Sequence, residues 1–422
     1  MTNTNDNLEV KRHAVTGWMA CHECDALHEV IDLPVNGKAE CSQCGSELYR
    51  QVNNSLDKVL VFSLTALLLF VLSHLFPFLS MKMGERIEEN VLVSATLELL
   101  NQGFPELAVL VFLTSILFPF LVIAGLLYVV LPLIFDRHFE STFTVFRWVK
   151  KLFPWSLVGV FMLGVLVAIV KLMDLATVIP GPSLFFMAGL LITMVAAQAS
   201  LDERLIWHRI TEHSRVKGDE HHPVKHGLTS CGSCHLVLHN DQNEICPRCG
   251  EKLSIRKNNS ISRTWALLLT AALLYIPANI YPIMTVTQFG RGSPDTIISG
   301  VVHLIESQLW GLALLVFFAS VMVPVLKLLI MSYLLISIQF KSCWRPKDRT
   351  LLFRVTEVVG AWSMIDIFLI GILVSLVKLD AFATIEAGPG ATFFAAVVVI
   401  TLFAAHSFDS RLIWDNCRTP HE

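Results

Sequence analysis

Eight apolar stretches govern what this chain can fold into. They lie near residues 58–79, 107–135, 154–178, 183–200, 264–285, 311–340, 358–380 and 392–408. Each reaches or approaches the roughly 20 residues that a helix needs to cross a hydrocarbon core about 30 Å thick. Composition agrees, with 54% of residues hydrophobic and 16% charged, against roughly 25% charged in an ordinary soluble domain. The expected fold class is an all-α polytopic membrane protein. The first 57 residues are polar and lack the basic, apolar and small-residue succession of a secretory signal. A net charge of -3 points to no nucleic acid.

Orientation follows from the basic residues, which stay on the cytoplasmic side near helix ends. Arg137, Arg147, Lys150 and Lys151 fall between the second and third stretches, and Lys341, Arg345, Lys347, Arg349 and Arg354 between the sixth and seventh. The segment Met81 to Glu106 has only Lys82 and Arg86 among several acids, and Val286 to Trp310 has only Arg291. The first pair of connections is therefore expected inside and the second pair outside. Eight crossings then place both termini and the polar middle, residues 201–263, in the cytoplasm.

The second half repeats the first at an offset of about 205 to 210 residues. Phe76-Pro77-Phe78 answers to Tyr281-Pro282-Ile283, Phe118-Pro119 to Val323-Pro324, Trp155-Ser156 to Trp362-Ser363, and Val170-Lys171-Leu172 to Val377-Lys378-Leu379. Ser200-Leu-Asp-Glu-Arg-Leu-Ile-Trp207 and Ser407-Phe-Asp-Ser-Arg-Leu-Ile-Trp414 close the copies. The domain plan is a soluble Cys-rich module (1–57), four helices (58–207), a linker with a second module (208–263), four more helices (264–414) and a tail (415–422). Trp207 and Trp414 are expected at headgroup level, where indole rings settle. The prolines within the second and sixth helices should kink them and free carbonyls that need other partners.

Cys21 and Cys24, then Cys41 and Cys44, have the spacing of a four-cysteine metal ribbon, as do Cys231 and Cys234, then Cys246 and Cys249. Tetrahedral thiolate sites hold zinc or iron. Zinc is the first expectation, mononuclear iron the second, and a reducing compartment disfavours disulfides. Four cysteines leave no open coordination position, so each ribbon is expected to be structural. His22, His28, His235 and His239 are expected at the surface. Cys343 and Cys417 stand alone.

Ionisable side chains within apolar segments cost several kcal/mol unless paired or wetted, and they mark functional candidates. The candidates are Lys171 and Asp174 in the third helix, Lys327 in the sixth, and Asp366 and Lys378 in the seventh. Lys171 and Asp174, three apart, can neutralise each other. Lys327 would meet Asp366 if the sixth and seventh helices pack, with the Ser320 and Thr401 hydroxyls joining them. Lys171, Asp174 and Lys378 can also be read as outer-end residues reaching the interface. The halves are unequal here, because Gly159 stands where the second half has Asp366, and Val122 where it has Lys327. No phosphate loop, dinucleotide fingerprint or nucleophile elbow is present, and an enzyme is not expected.

A ribbon followed by four helices, given twice, with Trp362-Ser-Met-Ile-Asp-Ile-Phe368, Pro277-Ala-Asn-Ile-Tyr-Pro-Ile283 and two Arg-Leu-Ile-Trp exits, resembles the paraquat-inducible protein A family of Gram-negative inner membranes. The resemblance implies an inner-membrane partner of an MCE-domain tunnel protein, loading or extracting phospholipid, with possible coupling to proton movement left open. It also implies zinc in both ribbons and a membrane fold per half of the tetraspanin and claudin type. The family's polar cluster would fall on Ser320, Lys327, Asp366 and Thr401, with Lys171 and Asp174 in the first half. Related first halves tend to carry an acid where Gly159 stands. Two other readings stay open: membrane-bound electron transfer through rubredoxin-like iron sites, and a scaffold without transport.

Overall fold

In the computed structural model, residues 14–417 are described apart from 16, 84–85, 138, 140, 173–176, 213–217, 220–227, 240–244, 289–290 and 377–382. Asp174 and Lys378 lie outside the described residues. The first half runs α1 (Ser55–Leu75), α2 (Leu92–Asn101), α3 (Pro105–Ile134), α4 (Thr142–Leu172), α5 (Pro182–Ser200) and α6 (Glu203–Glu212). The second half repeats it as α7 (Ser260–Ile280), α8 (Ile297–Glu306), α9 (Trp310–Gln339), α10 (Pro346–Ser375), α11 (Pro389–Ser407) and α12 (Leu412–Asp415). Eight of these, α1, α3, α4, α5, α7, α9, α10 and α11, are long and apolar enough to cross a membrane.

Two of the eight begin well before the apolar stretch. Residues 142–152 and 346–360 are amphipathic helices that continue, through a single 3-10 turn, into the apolar parts of α4 and α10. Their basic faces are therefore ordered surface rather than loop. In α3 and α9 the prolines act as expected but through a wider turn: Leu113–Leu117 and Phe318–Met322 each form one π turn just before Pro119 and Pro324. The freed Thr114 carbonyl accepts the Leu157 N–H at 3.2 Å from the start of the apolar part of α4, so a neighbouring element supplies the missing donor.

Beyond the helices, each half carries a three-stranded antiparallel sheet at the end opposite the ribbons. Leu79–Met83 pairs with Arg86–Asn90 and Thr177–Pro180, and Met284–Gln288 with Arg291–Asp295 and Ala383–Ala387. The sequence reading had only connecting segments there. Met284-Thr-Val-Thr-Gln288 and Ala383-Thr-Ile-Glu-Ala387 nonetheless have the β-branched alternation of strands. Glycine is required beside each sheet. A Cβ on Gly181 would stand 2.1 Å from the Pro77 carbonyl oxygen, and one on Gly388 2.2 Å from that of Pro282.

The repeated octapeptide is a lock between the first and last helix of each half. Ser55 Oγ donates to the Ser200 carbonyl at 2.7 Å and accepts the Asp202 N–H at 2.9 Å. Ser260 does the same with the Ser407 carbonyl (2.8 Å) and the Asp409 N–H (3.0 Å). Asp202 then accepts the Leu205 N–H at 3.0 Å, a capping bond at the start of α6. The tryptophans after each lock face protein: α6 and α12 fold under the amphipathic starts of α4 and α10, and Trp207 and Trp414 are buried there. Trp207 meets Phe146 edge-on with ring centroids 5.0 Å apart, and Trp414 Nε1 donates to Thr350 Oγ1 at 3.0 Å.

The halves join through α10, which packs on α4, α2 and α3. Gly164 lets α4 approach closely, since a Cβ there would stand 3.1 Å from that of Phe368. At the sheet end, the Gln102 side chain donates to the Ile385 carbonyl at 3.2 Å and accepts the Ala387 N–H at 3.0 Å. The first half thereby satisfies backbone groups of the second half's sheet.

Candidate functional site

All four knuckles adopt one backbone geometry. The residue after the second cysteine of each pair, Asp25, Gly45, His235 or Gly250, has φ between 57° and 70°. Its N–H donates to the carbonyl of the first cysteine at 2.8 to 3.0 Å. This turn aims both sulfurs inward. Cys21 and Cys44 Sγ stand 3.5 Å apart, Cys24 and Cys41 3.5 Å, Cys231 and Cys249 3.4 Å, and Cys234 and Cys246 3.6 Å. All eight are buried cysteines outside any disulfide, and each set of four sulfurs falls within 4.8 Å. Thiolates bound to zinc at about 2.3 Å in a tetrahedron stand about 3.8 Å apart, so both sets fit such an ion. The ion would supply a crosslink between the two knuckles of each ribbon.

Among the nearby histidines, His28 is not a free surface residue. Its Nε2 lies 3.2 Å from Cys41 Sγ, and the Ser46 hydroxyl lies 3.0 Å from Cys21 Sγ. Partners of this kind orient thiolate ligands and moderate their charge. His235 is half-buried, its ring 5.9 Å from that of His22, where the two ribbons face each other. Burial, with Lys150 nearby, holds His235 down at about 3.

The ribbons are crossed. The first ribbon, which precedes α1, packs its cysteines against second-half residues Leu335, Phe353, Phe408 and Trp414. The second ribbon, which precedes α7, packs against first-half residues Val129, Phe146, Ile206 and Trp207. Equivalent arginines seal the two seats. Arg354 on α10 donates to the Cys44 carbonyl at 3.2 Å and lies 3.5 Å from its sulfur. Arg147 on α4 donates to the Cys249 carbonyl at 3.3 Å and pairs with Glu251 at 3.0 Å. Arg256 ties the assembly together, reaching Asp25 of the first ribbon at 2.8 Å and Asp415 of α12. Burial opposes its charge, but the two carboxylates hold the guanidinium above its ordinary value.

Between the ribbons and the ends of both halves lies a cavity of about 940 Å³, lined in part by Glu23, Lys257, Glu357 and His406. Lys257 Nζ donates to the His406 and Phe408 carbonyls at 2.7 and 2.9 Å. Burial holds its amine below the usual lysine value.

The intramembrane candidates divide into two groups. Asp366 on α10 is buried, with the Ser320 hydroxyl and the Lys171 amine as its polar neighbours, and its Oδ2 has no hydrogen-bond partner. Ser320 sits in the π turn of α9 and donates to the Val316 carbonyl at 2.7 Å. Lys171 belongs electrostatically with Asp366 and with Asp295 of the second sheet. Lys327 is 3% exposed and its Nζ has no hydrogen-bond partner. The charge that acts on it is Glu357 rather than Asp366. Thr401 is buried and donates to the Val398 carbonyl at 2.9 Å. The first-half positions are filled by packing: Val122 is fully buried, and a Cβ on Gly159 would stand 3.3 Å from Leu191.

A family model for paraquat-inducible protein A matches residues 56–211 and 261–418, the helical region of each half. The chain belongs to the paraquat-inducible protein A family. Its relatives in that family include the intermembrane transport protein PqiA of Escherichia coli K12, 32% identical over 424 residues, covering 96% of this chain and 97% of that one. Also similar is the lipophilic envelope-spanning tunnel protein A of the same strain, 30% identical over 400 residues, with 94% and 91% covered. A probable intermembrane transport protein of Haemophilus influenzae is 29% identical over 412 residues, with 94% and 95% covered. No solved structure matches the chain.

Within this family member, sequence reasoning missed Glu357, His406 and Asp295. Glu357 lies in an amphipathic segment read as a cytoplasmic connection, and only the packing of α9 against α10 shows that it attends Lys327.

Proposed function

We propose that this chain is the inner-membrane subunit of an intermembrane lipid transport system. In this reading the ribbons and both termini lie in the cytoplasm, the two sheets lie in the periplasm, and a periplasmic MCE-domain tunnel protein docks over the sheets. The chain loads phospholipid into that tunnel or extracts it, and the two ribbons hold zinc. The observation that carries the reading is Asp366 and Lys327, buried on membrane-spanning helices with unsatisfied atoms, in a chain related along nearly its whole length to an intermembrane transport protein. Such groups are costly in a membrane and are kept where they work. With Ser320, Thr401 and Lys171 they would couple proton movement to lipid transfer.

The test has two arms. Purification from native membranes in mild detergent should bring down an MCE-domain protein and phospholipid. Asp366→Asn and Lys327→Ala should each abolish lipid transfer at normal protein level. Full transfer in both variants would discard the coupled mechanism, and a preparation without an MCE protein would remove the partner.

A further inference from the structure

The cavity beneath the ribbons and the isolated lysine above it lie one helical turn apart. Lys327 Nζ ends against the last turn of the amphipathic start of α10, where a Cβ on Gly360 would stand only 2.6 Å from it. Any side chain at Gly360 would take the space the amine occupies. Glu357 is three residues earlier on the same helix, hence on the same face and about 4.5 Å nearer the ribbons. Its side chain is exposed and lines the cavity. It is also the charge that acts most directly on Lys327.

The other charged groups at this place come from every neighbouring element. Glu23 of the first ribbon and Lys257 of the segment before α7 act on Glu357, and His406 of α11 senses Lys257 and Lys327. All but Lys327 line the cavity. The equivalent positions of the first half differ. Lys150 stands at the position of Glu357 and is tied to Glu203, while Val122 replaces Lys327.

Resting on the reading of the intramembrane charges given above, we propose that this cavity is the cytoplasmic access to Lys327, and that Glu357 is the carboxylate that draws hydrated protons to it. A hydrated proton taken up from the cavity by the Glu357 carboxylate leaves water and the carboxylic acid; its passage to the Lys327 amine in its unprotonated form restores the carboxylate and leaves an ammonium. No other reactant is needed. Gly360 leaves open the space beside this face of the helix that the Lys327 amine occupies.

The test reads access directly. The full chain carries Lys327→Cys together with Cys343→Ser and Cys417→Ser, the eight metal-site cysteines being retained, in inside-out membrane vesicles. A small cationic methanethiosulfonate is added on the ribbon side. Modification of the new thiol is expected, slowed tenfold or more by Glu357→Gln and restored by Glu357→Asp, with Val122→Cys unreactive. If Lys327→Cys does not accumulate, Gly360→Cys reports the same space. No modification from the ribbon side, modification only from the opposite side, or an unchanged rate with Glu357→Gln overturns the proposal. Lipid transfer is not read, so failure of the transport reading and failure of this one are separate results.

Discussion

The third membrane helices of the two halves, α4 and α10, have nearly the same length and the same break near the start of their apolar part, yet they hold opposite places. Most of the apolar stretch of α10 is buried, whereas well under half of that of α4 is. α10 is wedged among α2, α3 and α4 of the other half. α4 leaves residues such as Leu166 at the surface. The buried copy carries Asp366, and the more exposed copy has Gly159 at that position. A carboxylate is tolerable within a membrane where protein dipoles replace water around it, and very costly where lipid does. The duplication supplied one frame twice, and here the more deeply buried copy is the one that carries Asp366.

The strongest way to break this comparison is to exchange the chemistry of equivalent positions. Lys327→Ala and Asp366→Asn should reduce lipid transfer to background at unchanged protein level, whereas Val122→Ala and Gly159→Ala should retain most of it. Equal losses in both halves, measured by transfer between reconstituted membranes, would show that the first half carries the same duty.

Next in size is the metal. Bound metal should be two ions per chain, falling to one in either Cys44→Ser or Cys249→Ser by elemental analysis. In isolated zinc-binding peptides such a site is worth about 10 kcal/mol or more of folding free energy. Because the ribbons cross, Cys44→Ser should expose the second half to limited proteolysis near α10 and α12, and Cys249→Ser the first half near α4 and α6. Cleavage in the half that follows each ribbon in sequence would contradict the crossed arrangement.

Smaller effects sharpen what is common to both copies. Ser55→Ala and Ser260→Ala each remove one donor and one acceptor from a buried lock, and each should cost about 1–3 kcal/mol, by similar amounts in thermal unfolding. The smallest effect is a pH dependence peculiar to the second copy. Burial opposes ionisation of Asp409, but the two bonds from Arg411, both 2.9 Å, outweigh it and hold the carboxyl below the usual carboxylate range. Its contribution is complete above the unfolded value of about 3.9 and is lost as pH falls through the lower folded value. Unfolding followed from about pH 5 to about pH 2 should show less acid sensitivity in Asp409→Asn than in the unaltered chain.

Much of this was legible in the sequence because it rests on local rules. Eight apolar runs, four pairs of cysteines and repeated prolines each constrain their own segment, and the structure places them accordingly. The outer strands were signalled more faintly, by short alternation such as Met284 to Gln288 that is easily passed over beside long apolar runs. What could not be read was tertiary choice. Nothing local to Cys44 says that its carbonyl meets Arg354, some three hundred residues away, and nothing near Lys327 says that its partner is Glu357 rather than Asp366. The spacing of Lys171 from Asp174 suggested a pair; Asp174 lies outside the described residues, and the fold adds Asp366 and Asp295, far away in sequence, to the charges that act on Lys171. The burial of Trp207 and Trp414 was not legible, because α6 and α12 fold back beneath neighbours that no hydropathy pattern identifies.

The exchange of ribbons between halves also sets a timetable for biogenesis. The first ribbon leaves the ribosome before either set of membrane helices, but its seat is built from α9, α10, α11 and α12, which follow it by some three hundred residues. It must therefore wait until the final helices have been inserted, so a chain halted after the first half would leave that ribbon without a berth.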